Sequence, residues 1–188
     1  MNYDLKNDIA RILLTEEEIN SIVKRISSEI DAHYKERSSR LLLLGILKGS
    51  VVFMGDLMKH ITVPVEIDFM KVSSYGSATV SSGSINIILD LYRNDLANTD
   101  ILIVEDIIDS GRTLSYLVEY LRLKGAKSVR TCTLLDKPGR REVEFEADHV
   151  GAIIPNEFVV GYGLDYDEKY RALPFVGILK PHVYNGEA

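Results

Sequence analysis

The sequence predicts an α/β fold in which a mostly parallel central sheet is flanked by helices. Two apolar runs, residues 40 to 47 and 101 to 104, are rich in leucine or β-branched side chains, which is typical of strands buried on both faces. Each run is followed by a short polar segment and then by apolar residues at helical spacing. Strands that alternate with helices in this way form parallel sheets with right-handed crossovers.

The N-terminal half begins with a predicted helix. The tetrapeptide Thr15-Glu16-Glu17-Glu18 is a capping box, and an apolar stripe then continues to about residue 33. After the first buried strand, a second helix is predicted through residues 51 to 58. Residues 63 to 72 alternate apolar and polar positions, which predicts a strand with one solvated face that has Pro64 at its start or at a sheet edge.

Residues 73 to 83 are rich in serine and glycine and lack an apolar period, so we expect a mobile loop there. A plain hairpin connection is one interpretation. Tyr75 is an unusual residue for a simple linker and favours the other, a lid over a ligand. Residues 84 to 92 resume a strand pattern, which makes 65 to 92 a predicted hairpin, with 94 to 100 as the turn after it.

The C-terminal half continues the alternation. Gly125 ends the helix that follows residue 110, and a strand is predicted at 128 to 135. After this strand, Arg140 and Arg141 of the segment from 136 to 141 are interpreted as residues of a charged turn. The remaining predicted elements are short strands at 150 to 154, 158 to 161 and 175 to 179, with a polar loop at 163 to 171.

Composition limits the function classes. The chain of 188 residues has 22 basic and 28 acidic side chains, a formal net charge of −6, which argues against nucleic-acid binding driven by counterion release. A single cysteine, Cys132, excludes an internal disulfide and is expected to be a buried thiol. We expect a cytoplasmic protein without membrane contact, because no signal-peptide core or membrane-length apolar run is present.

Residues 101 to 114 are the most informative stretch. Four apolar residues lead into the carboxylates Glu105, Asp106 and Asp109, and Ser110-Gly111-Arg112-Thr113 then opens a helix. Backbone N–H groups at a helix start, a glycine that lets a ligand approach closely, and two hydroxyls together form a cup suited to a phosphate.

The acidic residues beside this cup point to a sugar phosphate. Carboxylates would repel a bare phosphate, but they can bind ribose hydroxyls and a divalent cation. An ordinary capped strand-to-helix turn is the alternative, and three carboxylates within five residues argue against it. The strand at 40 to 47 also ends in a small polar loop, Lys48-Gly49-Ser50, at the same edge of the predicted sheet.

This motif resembles the phosphoribosyl-pyrophosphate motif of the type I phosphoribosyltransferases, in detail that of members using hypoxanthine or guanine. The likeness extends from the capping box to residue 179. It implies one domain over 1 to 188, with a core at about 37 to 160, a small hood from the N-terminal segment and about 161 to 188, and a flexible hairpin loop. It also implies a homodimer or homotetramer.

The resemblance assigns roles residue by residue. The catalytic base is implied to be Asp109. The ribose phosphate is implied to be held by Asp109, Ser110, Gly111, Arg112 and Thr113. Pyrophosphate is implied to contact Lys48, Gly49 and Arg171, with a cis peptide bond before the lysine. The purine is implied to contact Ile107, Lys137, Phe158, Val159 and Asp165. The ribose is implied to meet Glu105 and Asp106, which with Asp165 are the implied Mg²⁺ ligands. The lid is implied to start at Ser74 and Tyr75.

The implied reaction joins a 6-oxopurine to phosphoribosyl pyrophosphate, releasing pyrophosphate in purine salvage. Three alternatives stay open at this point. The enzyme could prefer xanthine or a pyrimidine. Lys137 with Phe158 favours a 6-oxopurine, and the choice among hypoxanthine, guanine and xanthine depends on pocket shape. The fold could serve a regulator that senses the sugar phosphate and binds RNA or DNA, although the chain lacks a basic face. It could also be a phosphosugar-binding module without catalysis.

Overall fold

A six-stranded mixed sheet forms the centre of the protein. The computed structural model describes residues 5–74 and 85–185. In chain order the elements of this layer are β2 (Arg40–Leu47), β3 (Val65–Ser74), β4 (Ile85–Leu89), β5 (Thr99–Ile108), β6 (Ser128–Asp136) and β7 (His149–Ile153). The spatial order is β4-β3-β2-β5-β6-β7, and every pairing is parallel except β3 with β4.

Helices cover both faces of this sheet, as predicted. They are α1 (Glu16–Tyr34), α2 (Val51–His60) and α3 (Arg112–Leu123). The capping box of α1 is present, since the Glu18 N–H donates to Thr15 Oγ1 at 3.2 Å and the Thr15 N–H donates to Glu18 Oε2 at 2.8 Å.

The apolar runs of β2 and β5 feed two separate core layers, because successive side chains of a strand point to opposite faces. Leu43, Leu102 and Val104 pack with buried residues of α1 and α2. Leu44 and Ile103, which are register partners, pack with α3. Both faces of these strands are buried, which is why their sequences are apolar at consecutive positions.

A second, three-stranded antiparallel sheet has the order β1-β9-β8. Its strands are β1 (Ile9–Leu14), β8 (Val159–Val160) and β9 (Val176–Leu179), followed by the short helix α4 (Pro181–Tyr184). The sequence did not indicate β1, because its burial does not alternate and its pairing with β9 contains register shifts.

Several predicted boundaries need correction. β5 does not end at Val104 but continues to Ile108, so Glu105 and Asp106 lie within the strand. β4 ends at Leu89 rather than at residue 92. Most of the predicted loop at 73 to 83, including Tyr75, lies outside the described residues. No helix in the described part of the chain is long and apolar enough to cross a membrane.

Candidate active site

Adjacent carboxylates near the carboxyl end of β5 form the acidic part of the site. The residues Glu105 and Asp106 are both half-buried in the strand. Burial raises the pKa of Asp106 to about 6, against a hydrogen bond from the Ile107 N–H to its Oδ1 that lowers this pKa. Burial and the neighbouring Asp106 charge raise the pKa of Glu105 well above its ordinary value. The protein therefore holds negative charge here at a cost.

The segment from Asp109 to Thr113, here called the 109–113 loop, joins β5 to the first turn of α3 and lines a small cavity of about 100 Å³. Gly111 is the N-cap residue of α3 with φ of 81°, a left-handed conformation that favours glycine. A Cβ atom there would lie 3.0 Å from Cδ of Arg141. The loop residues that line the cavity are Asp109, Ser110, Gly111 and Thr113, with Glu105 beside them. The side chain of Arg112 pairs instead with Glu142.

Asp109 contacts two arginines that the sequence interpretation assigned only to a charged turn. Nε of Arg140 lies 2.7 Å from Oδ1 of Asp109. Arg141 is only 16% exposed, donates to the Asp109 carbonyl at 2.7 Å and pairs with Asp136. The charged turn is confirmed as a 3-10 helix at Pro138–Arg140. Arg140 is half-exposed there, whereas Arg141 is largely buried, so only Arg141 departs from what is expected of a surface turn. Both arginines lie at the carboxyl end of β6, beside the end of β5, which brings them to the site.

A cavity of about 440 Å³, here called the Phe158 cavity, lies next to Asp109. Its lining includes five residues singled out in the sequence: Ile107, Asp109, Lys137, Phe158 and Val159. The lining also includes Arg140, Asn156, Glu157, Leu164 and Tyr184, which the sequence did not single out. The predicted purine contact Asp165 does not line this cavity.

Lys137 places a cation in the wall of this cavity. It is 8% exposed, and its backbone N–H donates to the Ile108 carbonyl at 2.9 Å. Burial lowers the pKa of its ammonium, while the nearby Asp109 charge acts in the opposite direction. Among residues 5–74 and 85–185, no hydrogen bond from the ammonium group to the protein is found. A donor in the wall of this cavity is available to a ligand acceptor.

The loop after β2 packs tightly against β5. The Leu47–Lys48 peptide bond is cis, in agreement with the expectation from the resemblance. A Cβ atom on Gly49 would lie 1.5 Å from Oδ2 of Asp106, so only glycine fits at this position. Lys48 Nζ lies 2.9 Å from Oε1 of Glu168, which the sequence did not single out.

Arg171 lies near the same loop. It donates to the Gly163 carbonyl at 2.8 Å, and its Nη2 lies 2.8 Å from Oδ1 of Asp165. Gly163 in turn approaches the backbone of Gly49, since its Cβ position would be 2.1 Å from the Gly49 carbonyl oxygen. The structure therefore brings Arg171 close to the loop of Lys48 and Gly49. Of the two predicted lid residues, Ser74 is the last residue of β3, and Tyr75 lies outside the described part.

The donor set around Asp106 suits a cation that completes its shell with ligand oxygens. Asp165 is close enough to raise the pKa of Asp106, and Arg171 acts in the opposite direction. In the described residues, no group of three or more His, Cys, Asp or Glu side chains is arranged to hold a metal on its own. Magnesium commonly takes one or two carboxylates plus phosphate and water oxygens, so the residues present fit Mg²⁺ bound together with a phosphorylated substrate.

A comparison with known families identifies the family of this chain. The sequence matches the family model described as a phosphoribosyl transferase domain over residues 11 to 167. The chain belongs to the phosphoribosyltransferase family. Its type I fold, predicted from the strand–helix alternation and the central motif, is confirmed by the family match and by solved structures.

This phosphoribosyltransferase has relatives of known name. It is 53% identical over 180 residues to the hypoxanthine-guanine phosphoribosyltransferase of Bacillus subtilis, covering 96% of the chain and 98% of the relative. It is 52% identical over 184 residues to the bifunctional protein TilS/HprT of Listeria monocytogenes, where it covers 98% of the chain and spans 28% of the relative's length. The crystal structure of a hypoxanthine phosphoribosyltransferase from Staphylococcus aureus matches with a TM-score of 0.90 at 48% identity, covering 98% of each chain.

Proposed function

We propose that this phosphoribosyltransferase transfers the 5-phosphoribosyl group from phosphoribosyl pyrophosphate to hypoxanthine and guanine, giving IMP or GMP and pyrophosphate in purine salvage. The observation that carries this proposal is the Phe158 cavity, in which Lys137, Phe158 and Asp109 share one space next to the 109–113 loop. The names of the relatives from Bacillus subtilis and Staphylococcus aureus support the same substrate class.

The base would be recognised by stacking and by one hydrogen bond. Phe158, which is 37% exposed, offers a ring to a planar purine, and Ile107 and Val159 add apolar contact. Lys137 would donate to the 6-oxo group. Adenine carries an amino group at that position, so a cationic donor would reject it strongly.

The sugar donor would be bound through its 5-phosphate and through its pyrophosphate. Its 5-phosphate would bind to the loop of Asp109, Ser110, Gly111, Arg112 and Thr113, whose backbone N–H groups and hydroxyls suit an anion. Its pyrophosphate would bind to Lys48, Arg171 and the backbone at Gly49. Ribose hydroxyls would hydrogen-bond to Glu105 and Asp106. Burial makes ionisation of these two carboxyl groups unfavourable, and binding of the sugar would offset that cost.

Magnesium fits the same carboxylates. Glu105, Asp106 and Asp165 are the residues that would hold Mg²⁺ together with substrate oxygens. A bound divalent ion would neutralise charge on the pyrophosphate leaving group. The contact of Asp165 with Arg171 supports a shared role of these side chains near that leaving group.

The chemistry requires stabilised charge and one proton acceptor. Cleavage of the bond between ribose C1 and pyrophosphate develops oxocarbenium character on the sugar, as in glycoside cleavage. Lys48 and Arg171 would stabilise the departing pyrophosphate. The attacking purine nitrogen loses a proton, and the carboxylate of Asp109, on the wall of the Phe158 cavity, would accept it. A lid starting at Ser74 and Tyr75 would exclude water from the reacting sugar.

A turnover assay tests the proposal. Purified protein is incubated with phosphoribosyl pyrophosphate, Mg²⁺ and one base at a time: hypoxanthine, guanine, xanthine, adenine or uracil. Nucleotide formation from hypoxanthine and guanine, with little from adenine or uracil, is the expected result. A preference for xanthine or uracil, or binding of the sugar donor without turnover by any base, would contradict the proposed reaction.

We also propose a cytoplasmic enzyme that assembles as a homodimer or homotetramer and binds neither nucleic acid nor membrane. The support is the resemblance to the family together with the acidic charge balance of the sequence. Sedimentation of the purified protein measures the assembly directly, and a monomer at micromolar concentration would contradict it.

A further inference from the structure

The carboxylate of Glu168 connects the two cations assigned to pyrophosphate. Its Oε1 lies 2.9 Å from Nζ of Lys48, and its Oε2 lies 3.3 Å from Nη2 of Arg171. Lys48 follows β2, whereas Glu168 and Arg171 belong to the loop after β8, so the contact joins segments 120 residues apart. The Glu168 carboxylate thus pairs with both of the cations that are proposed to bind pyrophosphate.

A tight turn presents this carboxylate. Tyr166 and Lys169 exchange backbone hydrogen bonds of 3.3 and 3.0 Å around the two residues between them. Those residues, Asp167 and Glu168, have φ of 51° and 59°, the left-handed conformation of a two-residue hairpin turn. The Glu168 N–H also donates to Oδ2 of Asp165 at 2.9 Å. The backbone at Glu168 is therefore held in place, while its side chain is 66% exposed and can swing away.

One N–H group of Arg171 has no acceptor within the described residues. Its guanidinium is fixed by the Gly163 carbonyl and Asp165, as described above. Its Nε is buried, and no acceptor for it is found in the described ranges 5–74 and 85–185. A buried N–H without an acceptor is costly, which supports a ligand oxygen as its partner.

Pyrophosphate and the Glu168 carboxylate cannot share these cations. If the proposed function is correct, binding brings several negative charges onto Lys48, Gly49 and Arg171, where Glu168 already lies. Like charges at such distances repel, and each cation has a limited number of donors. Arrival of the ligand would have to displace the side chain into solvent.

We propose that Glu168 is an internal competitor of pyrophosphate, which occupies Lys48 and Arg171 in the absence of ligand and returns to them as pyrophosphate leaves. The inference rests on the proposed function and adds a residue that tunes it. Competition of this kind weakens binding of the leaving group and speeds its release after transfer. Glu168 is a positioning residue, because it acts through the two cations and not on the reacting atoms.

The test is Glu168→Gln, with Asp167→Asn as the matched control. Both variants remove one negative charge from neighbouring residues of the same turn, but Asp167 is 73% exposed and pairs with Lys169. Calorimetric titration with inorganic pyrophosphate and Mg²⁺ should give roughly two- to tenfold tighter binding for Glu168→Gln, the range expected from one or two exposed ion pairs. Asp167→Asn should bind pyrophosphate as the parent protein does.

A second ligand separates competition from a general change of the site. In the proposed function, IMP occupies the 109–113 loop and the Phe158 cavity and leaves Lys48 and Arg171 uncontacted, so its affinity should be the same in the parent protein and in Glu168→Gln. Unchanged or weaker pyrophosphate binding by Glu168→Gln, or an equal gain in Asp167→Asn, would overturn the inference while leaving the proposed function intact. Failure of the parent protein to bind pyrophosphate or to form IMP would overturn the proposed function and this inference with it.

Discussion

The ring of Tyr184 stacks on the ring of Phe158, with centroids 4.9 Å apart and an angle of 20° between the planes. Tyr166 meets the same ring edge-on, at 5.6 Å and 89°. Tyr184 belongs to α4 at the end of the described chain and also lines the Phe158 cavity. The ring proposed to stack on the purine is thus fixed by an aromatic partner from the C-terminal segment.

Tyr184→Ala should therefore weaken binding of the base. Loss of one aromatic pair corresponds to a KM for hypoxanthine that is roughly two- to tenfold higher, whereas the KM for phosphoribosyl pyrophosphate should not change. Tyr184→Phe keeps the ring and is the control. Steady-state kinetics with each substrate varied in turn provide the measurement. An unchanged hypoxanthine KM in the alanine variant would show that the stack does not organise the cavity.

Asp109→Asn tests the proton acceptor. The amide keeps the size of the carboxylate but cannot take the purine proton, so turnover should fall by a factor on the order of 100 or more. Binding of the sugar phosphate should be largely retained, because the backbone of the 109–113 loop is intact. Pre-steady-state turnover and equilibrium binding of the sugar donor separate the two effects. Turnover equal to that of the parent protein would refute the base assignment.

Lys137→Met tests the reader of the 6-oxo group. The substitution keeps an apolar stem in the wall of the cavity and removes the donor. Hypoxanthine should lose roughly 10- to 100-fold in kcat/KM, the cost of a hydrogen bond from a charged donor, while adenine loses little. The ratio of the two kcat/KM values is the measurement. If adenine stays excluded to the same degree, another group discriminates between the bases.

Gly49→Ala tests the close packing of the loop after β2. The added methyl group would overlap Oδ2 of Asp106, so either the loop or the carboxylate must move. We expect a loss of more than about tenfold in kcat/KM for phosphoribosyl pyrophosphate, because misplacement by about 1 Å at a reacting site costs up to 100-fold. Gly55→Ala is the control, since no atom lies within 4 Å of its added methyl group. A gain of about 0.5 to 1 kcal/mol in stability is expected for that helical position. Equal activity of both variants would contradict the prediction.

Asp106→Asn tests how much the ionised Asp106 carboxylate lowers the stability of the folded protein at different pH values. Because the folded protein raises the pKa of Asp106 from 3.8 to about 6, the folded state holds a proton that the unfolded state releases between these values. Stability of the ligand-free protein should therefore decrease as the pH rises through this window. At pH 7.5, Asp106→Asn should be more stable by on the order of 1 to 2 kcal/mol, and at pH 4 the difference should be small. Urea unfolding at both values measures it. If the variant is no more stable than the parent protein at pH 7.5, the raised pKa of Asp106 is contradicted.

The parts of the fold that are local in sequence could be predicted. The α1 capping box, the buried strands β2 and β5 and the glycine that ends α3 each depend on side chains within a few positions of one another. The carboxyl end of β5 was not predicted. β5 continues through Glu105 and Asp106 because pairing with β6, which no local pattern reveals, holds the strand together up to Ile108.

The candidate site was predictable where a motif carries it and not where distant segments meet. Lys48 and Arg171 belong to such motifs, but Glu168 was not found because its contact with Lys48 spans 120 residues. Tyr184 lies beyond the last strand, in a stretch without a pattern. Arg140 lies in a segment whose composition is typical of a surface turn. It contacts Asp109 only because β5 and β6 lie side by side in the sheet.

The backbones of Gly163 and Gly49 lie in direct contact. No side chain separates the two backbones, so the loop with Asp165, Glu168 and Arg171 rests directly on the loop with Lys48. A displacement of either loop is therefore expected to move the other. If pyrophosphate binding shifts the loop with Lys48, we expect the segment that leads to β9 and α4 to shift with it.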